Sequence, residues 1–341
     1  MDWQPNAVWN VGAEFSYTDV IQGLFFQTAN RNEIFSNFNG ADNRLFYNTS
    51  GAAVKINPNF TNVFVLTNTN KGFRYNATIH AERKQEMLYT YLGYSYGLSK
   101  DVSSTVRSSP AANYEWNQAI FGNDPAVSFS NYDLRHKINL VQSYRQSLNE
   151  RSSILLSFLY NGRSGSPYSV VYQGDLNGDG SSRNDLIYIP RDINEINLVN
   201  TINSDGVVVT PEEQWQQLDQ YISTIKYLDN RRGDYAERNG AKTPWNHQLD
   251  MKIEWKRSIF NKKVVTLSLD LFNVLNIVNP NWGRLVFVPN VVNSSFSLLK
   301  FQGIENNTPQ FSFDIPAEET PWVVDAFNSR WRIQGGVKID F

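Results

Sequence analysis

Hydrophobic and polar residues alternate along much of this chain with a period of two. The final segment has the clearest pattern, because one parity is apolar and the other carries Arg, Gln, Lys and Asp. Successive side chains of a β-strand point to opposite faces, so the alternation predicts a strand with one apolar and one polar face. The apolar parity consists of Trp331, Ile333, Gly335, Val337, Ile339 and Phe341.

The same alternation predicts eight further strands, clearly over 72–82 and 245–257 and less purely over six other segments. Most of these strands are about 9 to 15 residues long, whereas strands of soluble globular proteins cluster near 5 to 6 residues. A tilted strand that spans a membrane needs about 9 to 11 residues, so the lengths favour a membrane-spanning sheet. The six other segments are 7–17, 19–27, 86–98, 132–146, 152–162 and 263–275.

The connections between the predicted strands alternate between short and long. The short ones lie at about residue 18 and at 83–85, 147–151 and 258–262. The long ones are 28–71, 99–131, 163–244 and 276–328. Short turns at one end and long extracellular loops at the other are typical of outer-membrane barrels. The prediction is therefore an all-β fold, an antiparallel transmembrane β-barrel; the alternative, a secreted soluble β-sandwich, does not place every long connection at one end.

The predicted strand count is about nine, whereas bacterial single-chain barrels have an even number of strands. Residues 1–5 also lack the basic region and apolar core of a signal peptide. Because an unpaired sheet edge is costly in lipid, we expect the chain to be the C-terminal part of a larger barrel. The other explanation of the odd count is a strand that escapes recognition within 28–71 or 163–244.

The composition is hydrophilic, with a mean hydropathy of −0.44. A membrane barrel accommodates this value, because only alternate strand residues face lipid and long polar loops dilute them. The chain has 0 Cys, which excludes a disulfide scaffold, a thiolate metal site and a cysteine nucleophile. Its formal net charge of −2 supplies no basic surface for nucleic acid, so no nucleic-acid partner is expected.

Several segments resemble TonB-dependent outer-membrane receptors. The sequence LDLFNVLN at 269–276 resembles their penultimate strand, and WRIQGGVKIDF at 331–341 resembles their closing strand. The segments NGRSGSPYS at 161–169, GDLNGDG at 174–180 and YDLRHK at 132–137 are similar to the Oar-like and SusC-like receptors of Bacteroidetes-type bacteria. The resemblance extends over the whole chain, but only as the C-terminal part of such a receptor.

The resemblance implies a receptor in the cell outer membrane of a Gram-negative bacterium, with a barrel of roughly 22 strands. Its extracellular loops would bind a substrate that is taken up through the barrel. The implied partners are outer-membrane lipid, a surface lipoprotein and the TonB complex, the last only through a plug domain and a TonB box that this sequence lacks. The alternative is a passive barrel with a structural or adhesion role and no active transport.

A terminal Phe after alternating apolar residues is the pattern that the barrel assembly machinery recognises. The predicted assembly signal consists of Trp331, Ile333, Val337, Ile339 and Phe341.

Residues 175–180 match the first half of a calcium-loop pattern, D-x-[DN]-x-[DN]-G. Calcium prefers oxygen ligands, and Gly180 permits the sharp turn that the pattern requires. Leu186 stands where the pattern has Glu, and the preceding Asp185 would substitute for it. The predicted ligands of a structural Ca²⁺ are Asp175, Asn177, Asp179, Ser181 through its carbonyl, and Asp185. The alternative is a turn rich in Asp and Asn, since both residue types favour turns by themselves.

The sequence offers no catalytic constellation, because the three His residues, His80, His136 and His247, have neither triad nor cluster spacing. We therefore expect no enzyme. By parity His80 lies on a polar face and the other two on apolar faces, as residues near a membrane rim would.

Three features of the loops each allow two interpretations. Thr210, Pro211 and Glu213 predict the start of a helix that is either a lid or a packing element. The Arg residues of 230–240 face either a ligand or local acidic partners; they are Arg231, Arg232 and Arg238. Four loop aromatics either stack on sugars and peptides or belong to an interfacial girdle; they are Tyr114, Trp116, Trp282 and Trp322.

Overall fold

The computed structural model of the protein describes residues 1–47, 55–202, 206–259, 263–289, 295–316 and 319–340. Strands hold 49% of the residues and helices 10%, so the predicted all-β fold is confirmed. Within the described ranges, no helix is long and apolar enough to cross a membrane.

The elements are numbered along the chain. The strands are β1 (Asp2–Trp3), β2 (Trp9–Asp19), β3 (Gly23–Thr28), β4 (Phe35–Asn37), β5 (Leu45–Tyr47), β6 (Phe64–Thr69), β7 (Gly72–Lys84), β8 (Leu88–Asp101), β9 (Ser128–Phe129), β10 (His136–Asn149), β11 (Ser152–Arg163), β12 (Pro167–Gln173), β13 (Tyr188–Ile189), β14 (Thr201–Ile202), β15 (Val208–Val209), β16 (Asp234–Tyr235), β17 (Ala241–Lys242), β18 (Asn246–Ser258), β19 (Val264–Phe272), β20 (Val286–Phe287), β21 (Ser295–Glu305), β22 (Thr308–Ser312), β23 (Val323–Val324) and β24 (Arg332–Asp340). The helices are α1 (Pro110–Glu115), α2 (Pro211–Thr224), α3 (Lys226–Asp229) and α4 (Val274–Val278), and a 3-10 turn covers Ile193–Glu195.

The largest sheet, here called the main sheet, is an antiparallel meander in the order β1-β2-β7-β8-β10-β11-β18-β19-β24, with β9 paired to the end of β8. Eight of its strands are 9 to 14 residues long, and β1 adds two residues beside β2. The four connections 20–71, 102–135, 164–245 and 273–331 are long and leave the same end of the sheet, called the loop end. The main sheet is open, and β1 and β24 are its edges.

The prediction of a main-sheet strand at 19–27 is wrong. Strand β2 continues to Asp19, and β3 then pairs with β6 in a separate two-stranded ribbon. There is consequently no turn at residue 18, and the main sheet has eight full-length strands rather than nine. A period of two does not indicate which sheet a strand joins, because it is the same in a strand of a large sheet and in a two-stranded ribbon.

The register of the main sheet aligns the apolar parity of every strand on one side, called the apolar face. Ala81, Leu92, Leu140, Tyr160 and Leu249 form one row of this face across five strands. On the opposite, polar face, Ser143, Ser157, Lys252, Asp270 and Gln334 form an equivalent row. Many apolar-face residues are exposed, including Ile79 at 59% and Val337 at 72%, because no layer of described residues covers them.

The buried hydrophobic core lies in the long connections instead. Its centre is a four-stranded sheet in the order β17-β12-β21-β22, in which β12 and β21 run parallel. Among the described residues, none from the full-length strands of the main sheet belongs to the buried cluster around this smaller sheet. The cluster, called the loop core, consists of Phe38, Phe46, Tyr168, Val170, Val171, Tyr172, Leu176, Leu186, Ile187, Ile189, Leu198, Leu218, Tyr221, Ile222, Ile225, Leu228, Ala236, Ala241, Val288, Leu298, Leu299, Phe311 and Phe313.

Helix α2 starts where the sequence predicts. Thr210 is the N-cap, Pro211 occupies the first turn, and the side chains of Thr210 and Glu213 form a reciprocal capping box. Leu218 and Ile222 have no exposed surface and lie in the loop core. The helix is therefore a packing element that orders the third long connection.

Candidate functional site

The predicted calcium segment follows β12, contains two consecutive Asx turns and is closed by a longer bond to Asp175. Asp175 Oδ2 accepts a hydrogen bond from the Gly180 amide at 2.9 Å, and Asn177 Oδ1 accepts one from the Asp179 amide at 2.9 Å. Asp179 Oδ1 accepts another from the Ser181 amide at 2.8 Å. The bonds to Asn177 and Asp179 are the i to i+2 bonds of Asx turns, which short Asp and Asn side chains form readily. The bond to Asp175 spans five residues and closes the segment.

Three carboxylates of this segment lie near one another, with Asp179 and Asp185 buried and Asp175 partly exposed. Asp179 Oδ2 accepts from Asn184 Nδ2 at 2.8 Å and from the Tyr114 hydroxyl at 3.0 Å, whereas Asp185 Oδ2 accepts from the Leu176 amide at 3.0 Å. Burial, followed by the negative charge of Asp179, raises the pKa of Asp175 to about 7. Burial likewise raises the pKa values of Asp179 and Asp185. The cluster is therefore costly to ionise.

The five predicted calcium ligands thus lie in one segment, and hydrogen bonds within the protein already engage carboxylate oxygens of Asp175, Asp179 and Asp185. Across the described ranges, no group of three or more carboxylate or imidazole side chains is arranged to hold a metal ion. The carboxylate oxygens Asp175 Oδ1 and Asp185 Oδ1 have no hydrogen-bond partner. Calcium binding at Asp175, Asn177, Asp179, Ser181 and Asp185 stays a prediction.

A buried arginine adjoins this cluster. Arg44 Nε donates to Asp42 Oδ1 at 2.9 Å, Nη2 donates to the Leu186 carbonyl at 2.6 Å, and Nη1 lies 3.6 Å from Asp185 Oδ1. The guanidinium carbon is 5.1 Å from the ring centre of Tyr172 and 5.3 Å from that of Tyr235. Burial is the largest single effect and opposes the charge of Arg44, but the interactions of the guanidinium with Asp42, Tyr172 and Asp185 together outweigh it and raise its pKa. Arg44 therefore holds the first and third long connections together.

The three arginines of 230–240 have acidic partners, which are near in sequence for Arg231 and Arg232 and distant for Arg238. Arg231 pairs with Asp234 and Glu237, and Arg232 pairs with Asp219 and Asp229. The side chain of Arg238 is 3% exposed, and its Nη2 donates to both the carbonyl and the carboxylate of Asp101 at the end of β8. Arg238 thereby ties the loop core to the main sheet, and burial lowers its pKa despite the partner.

Aromatic rings form a chain of contacts along the loop end of the apolar face. Tyr17 contacts Phe73 at 6.4 Å between ring centroids, and Tyr75 contacts Tyr96 at 6.1 Å. His136 stacks on Trp245 at 5.7 Å, and the Trp245 ring in turn stacks on His247 at 5.9 Å. The three His residues lie on the faces that the sequence predicts. His136 and His247 lie on the apolar face, and His80 lies on the polar face, opposite Gly12 and Gly93. We call this set the aromatic row; its members are Tyr17, Phe73, Tyr75, Tyr96, His136, Trp245, His247 and Tyr160.

A cavity of about 910 Å³ opens beside the aromatic row, where the fourth long connection passes over β11 and β18. Arg284 is the one Asp, Glu, Lys or Arg side chain among its described lining residues. We call it the Trp-lined cavity; its principal residues are Tyr160, Trp245, His247, Trp282, Arg284 and Trp322. The chemistry of these residues suits a ligand with an apolar or ring-shaped part and an anionic group.

The four loop aromatics separate into two pairs. Trp282 and Trp322 line the cavity, whereas the buried Tyr114 bonds Asp179 and Trp116 lies against the guanidinium groups of Arg107 and Arg183. Trp245 and Arg284 carry no sequence motif, so only the fold reveals that they share a site with Trp282.

The predicted assembly-signal residues follow the edge strand. Ile333, Val337 and Ile339 are exposed on the apolar face of β24, and Trp331 precedes that strand with the same parity. Phe341 lies outside the described residues.

Comparisons of the chain with family models, with curated proteins and with solved structures gave no match.

Proposed function

We propose that this chain forms part of the wall of an outer-membrane β-barrel of the TonB-dependent receptor type, in a Gram-negative bacterium. The apolar face of the main sheet would contact lipid, and the polar face would line a water-filled lumen. The loops would capture a substrate for uptake. One observation supports the membrane assignment above all: the apolar face extends over eight long strands, no layer of described residues covers it, and the hydrophobic core of the described residues lies in the loops.

The size of the apolar face supports lipid contact. Eight strands about 4.8 Å apart and an apolar band about 25 Å tall give an area of roughly 850 Å². The largest apolar patch on a typical soluble monomer is about 300–600 Å². At about 25 cal/mol per Å², keeping this face in water rather than in lipid would cost roughly 20 kcal/mol. Lipid removes this cost.

Two further features agree with this proposal. The aromatic row lies at one end of the apolar face, where tyrosine, tryptophan and histidine rings would meet lipid headgroups. The edges β1 and β24 expose backbone groups that would need strand partners in lipid, and a larger closed barrel would provide them.

The second candidate function is a barrel that presents a fixed surface structure without active transport. The packing of the loop core favours it, because buried ion pairs such as Arg44 with Asp42 hold the loops in one arrangement. The sequence encoded upstream discriminates between the two candidates. A plug domain and a TonB box there would support the receptor, and their absence would support the structural barrel.

A matched pair of substitutions tests the membrane assignment. Leu267 lies on the apolar face of β19 and the adjacent Ser268 on its polar face, so each receives Arg in turn. A charge at mid-membrane on the lipid side costs about 2–4 kcal/mol, whereas a charge facing the lumen costs little. We expect Leu267→Arg, but not Ser268→Arg, to reduce the outer-membrane fraction that shows heat-modifiable gel mobility. A wild-type protein in the soluble fraction, or equal effects of both variants, would refute the assignment.

A further inference from the structure

The Trp-lined cavity combines an apolar wall with a cationic opening. Tyr160 and His247 contribute the upper end of the apolar face, and the Tyr160 hydroxyl lies 2.8 Å from His247 Nδ1. Residues of the fourth connection form the opposite wall, including Trp282, which is 52% exposed. A large indole ring left half in water beside an apolar surface gains free energy when an amphiphilic ligand covers it.

The charge of the cavity selects the kind of ligand. Arg284 Nε donates to the Pro280 carbonyl at 2.9 Å, which fixes the guanidinium at the cavity wall. Among the described residues Arg284 has no acidic partner, unlike Arg231, Arg232 and Arg238 of the third connection. A guanidinium next to aromatic rings binds phosphate through charge-assisted hydrogen bonds.

We infer that the Trp-lined cavity binds the phosphate-bearing anionic headgroup of a membrane lipid in the leaflet nearest the long loops, with the acyl chains along the apolar face below Tyr160 and His247. The inference rests on the proposed function, since it requires lipid at this face. It adds a lipid site that is separate from any substrate site of the lumen, because the cavity lies on the opposite side of the sheet from the polar face.

Continuity of surface favours a lipid over a water-soluble anion. The cavity wall continues directly into the apolar rows of β11 and β18, where Phe158 lies opposite Met251 and Leu156 opposite Ile253. A free phosphate would use only Arg284, whereas a lipid would also cover Trp245 and Trp282 and follow these rows. Apolar contact therefore adds to the affinity for a lipid and contributes nothing to that for phosphate.

The test is a lipid titration of the protein, purified in detergent from the membrane fraction, with native mass spectrometry as the readout. The probes are dihexanoyl-phosphatidylglycerol, its zwitterionic phosphatidylcholine counterpart, and glycerol phosphate as the soluble anion. We expect the first bound phosphatidylglycerol to bind about tenfold more tightly than phosphatidylcholine, as a charged hydrogen-bonded contact provides. Arg284→Gln should abolish this preference, and Trp282→Ala should weaken binding of both lipids.

Arg330→Gln is the control, because Arg330 is an exposed arginine at the same end of the sheet that does not line the cavity. It should leave the preference unchanged. Equal affinity for the two lipids, or an Arg284→Gln variant that binds like wild type, would overturn the inference while leaving the membrane assignment intact. Complete displacement of the lipid by glycerol phosphate at equal concentration would overturn the lipid as the source of the anion. A protein that stays soluble without detergent would overturn both proposals.

Discussion

Replacing Arg44 with Met is expected to destabilise the loop core strongly. Arg44 has a fully buried side chain and is the cation between Asp42 and Asp185. Removing one partner of a buried pair costs about 3–5 kcal/mol, because the remaining charge is left without compensation. The hydroxyl groups of Tyr172 and Tyr235 each donate to Asp42 at 3.0 Å and would remain. We therefore expect the lower end of the range, about 3 kcal/mol.

Hydrogen exchange measured by mass spectrometry suits this prediction, because it reports local opening rather than global unfolding. A loss of about 3 kcal/mol corresponds to roughly 150-fold faster exchange in the loop core. Peptides from β12 and from residues 186–189 should show the change, and peptides from β10 and β11 serve as internal controls. Equal acceleration in both groups, or an effect below about threefold in the loop core, would refute the role assigned to Arg44.

Two additional variants separate charge from packing. Asp42→Asn and Asp185→Asn, combined with Arg44→Met, remove the uncompensated charges and should restore most of the lost protection. In the single variant Arg44→Met, protection of the loop core from hydrogen exchange should also increase as the pH falls. Burial raises the pKa of Asp185 in the intact protein, and without Arg44 protonation of this carboxyl relieves its uncompensated charge. A defect that does not change with pH would mean that lost packing, not lost pairing, causes it.

Three further predictions concern the loops. A folded-state pKa raised to about 7 means that the contribution of Asp175 is fully present below its ordinary pKa and is lost as pH rises through about 7; loop-core exchange, corrected for intrinsic rates, should be faster at alkaline than at acidic pH, and Asp175→Asn should flatten this dependence. Calcium bound among these carboxylates would keep them ionised and remove the dependence, so calorimetry with Ca²⁺ at alkaline pH distinguishes a calcium loop from Asx turns. Leu218→Ala should lower the stability by about 2–5 kcal/mol because the side chain has no exposed surface. Thr210→Ala should lower it by about 1 kcal/mol through loss of the helix cap. Hydrogen exchange in α2 checks both values, and a larger loss of stability for Thr210→Ala than for Leu218→Ala would contradict the assigned roles.

The strands of the main sheet could be predicted from the sequence because the alternation that indicates them is a local pattern. A period of two over about ten residues needs no knowledge of the rest of the chain, and Ile79, Leu92 and Leu267 all follow it. The sheet that a strand joins is not a local property. Residues 23–28 belong to a segment predicted as a strand of the main sheet, yet they pair with β6 outside that sheet.

The loop core and the Trp-lined cavity could not be predicted from the sequence, because both are formed by contacts between residues that are distant in sequence. Arg44 meets Leu186 from another connection, and Asn39 donates to the carbonyl of Asn306. Trp245 and Trp282 likewise belong to different connections. The cap at Thr210 was predictable for the opposite reason, since its partners lie within three residues.

The loop core draws residues from widely separated parts of the chain, and this has a consequence for folding order. Phe46 comes from the first long connection, Leu218 from the third and Phe313 from the fourth, while Ile120 of the second packs against the cluster. Contacts so distant in sequence form late, because the entropy of closing each loop must be lost first. The strands between these connections would have to align before the cluster closes. Protection of the loops from protease would therefore report that the strands from β7 to β19 are already in register.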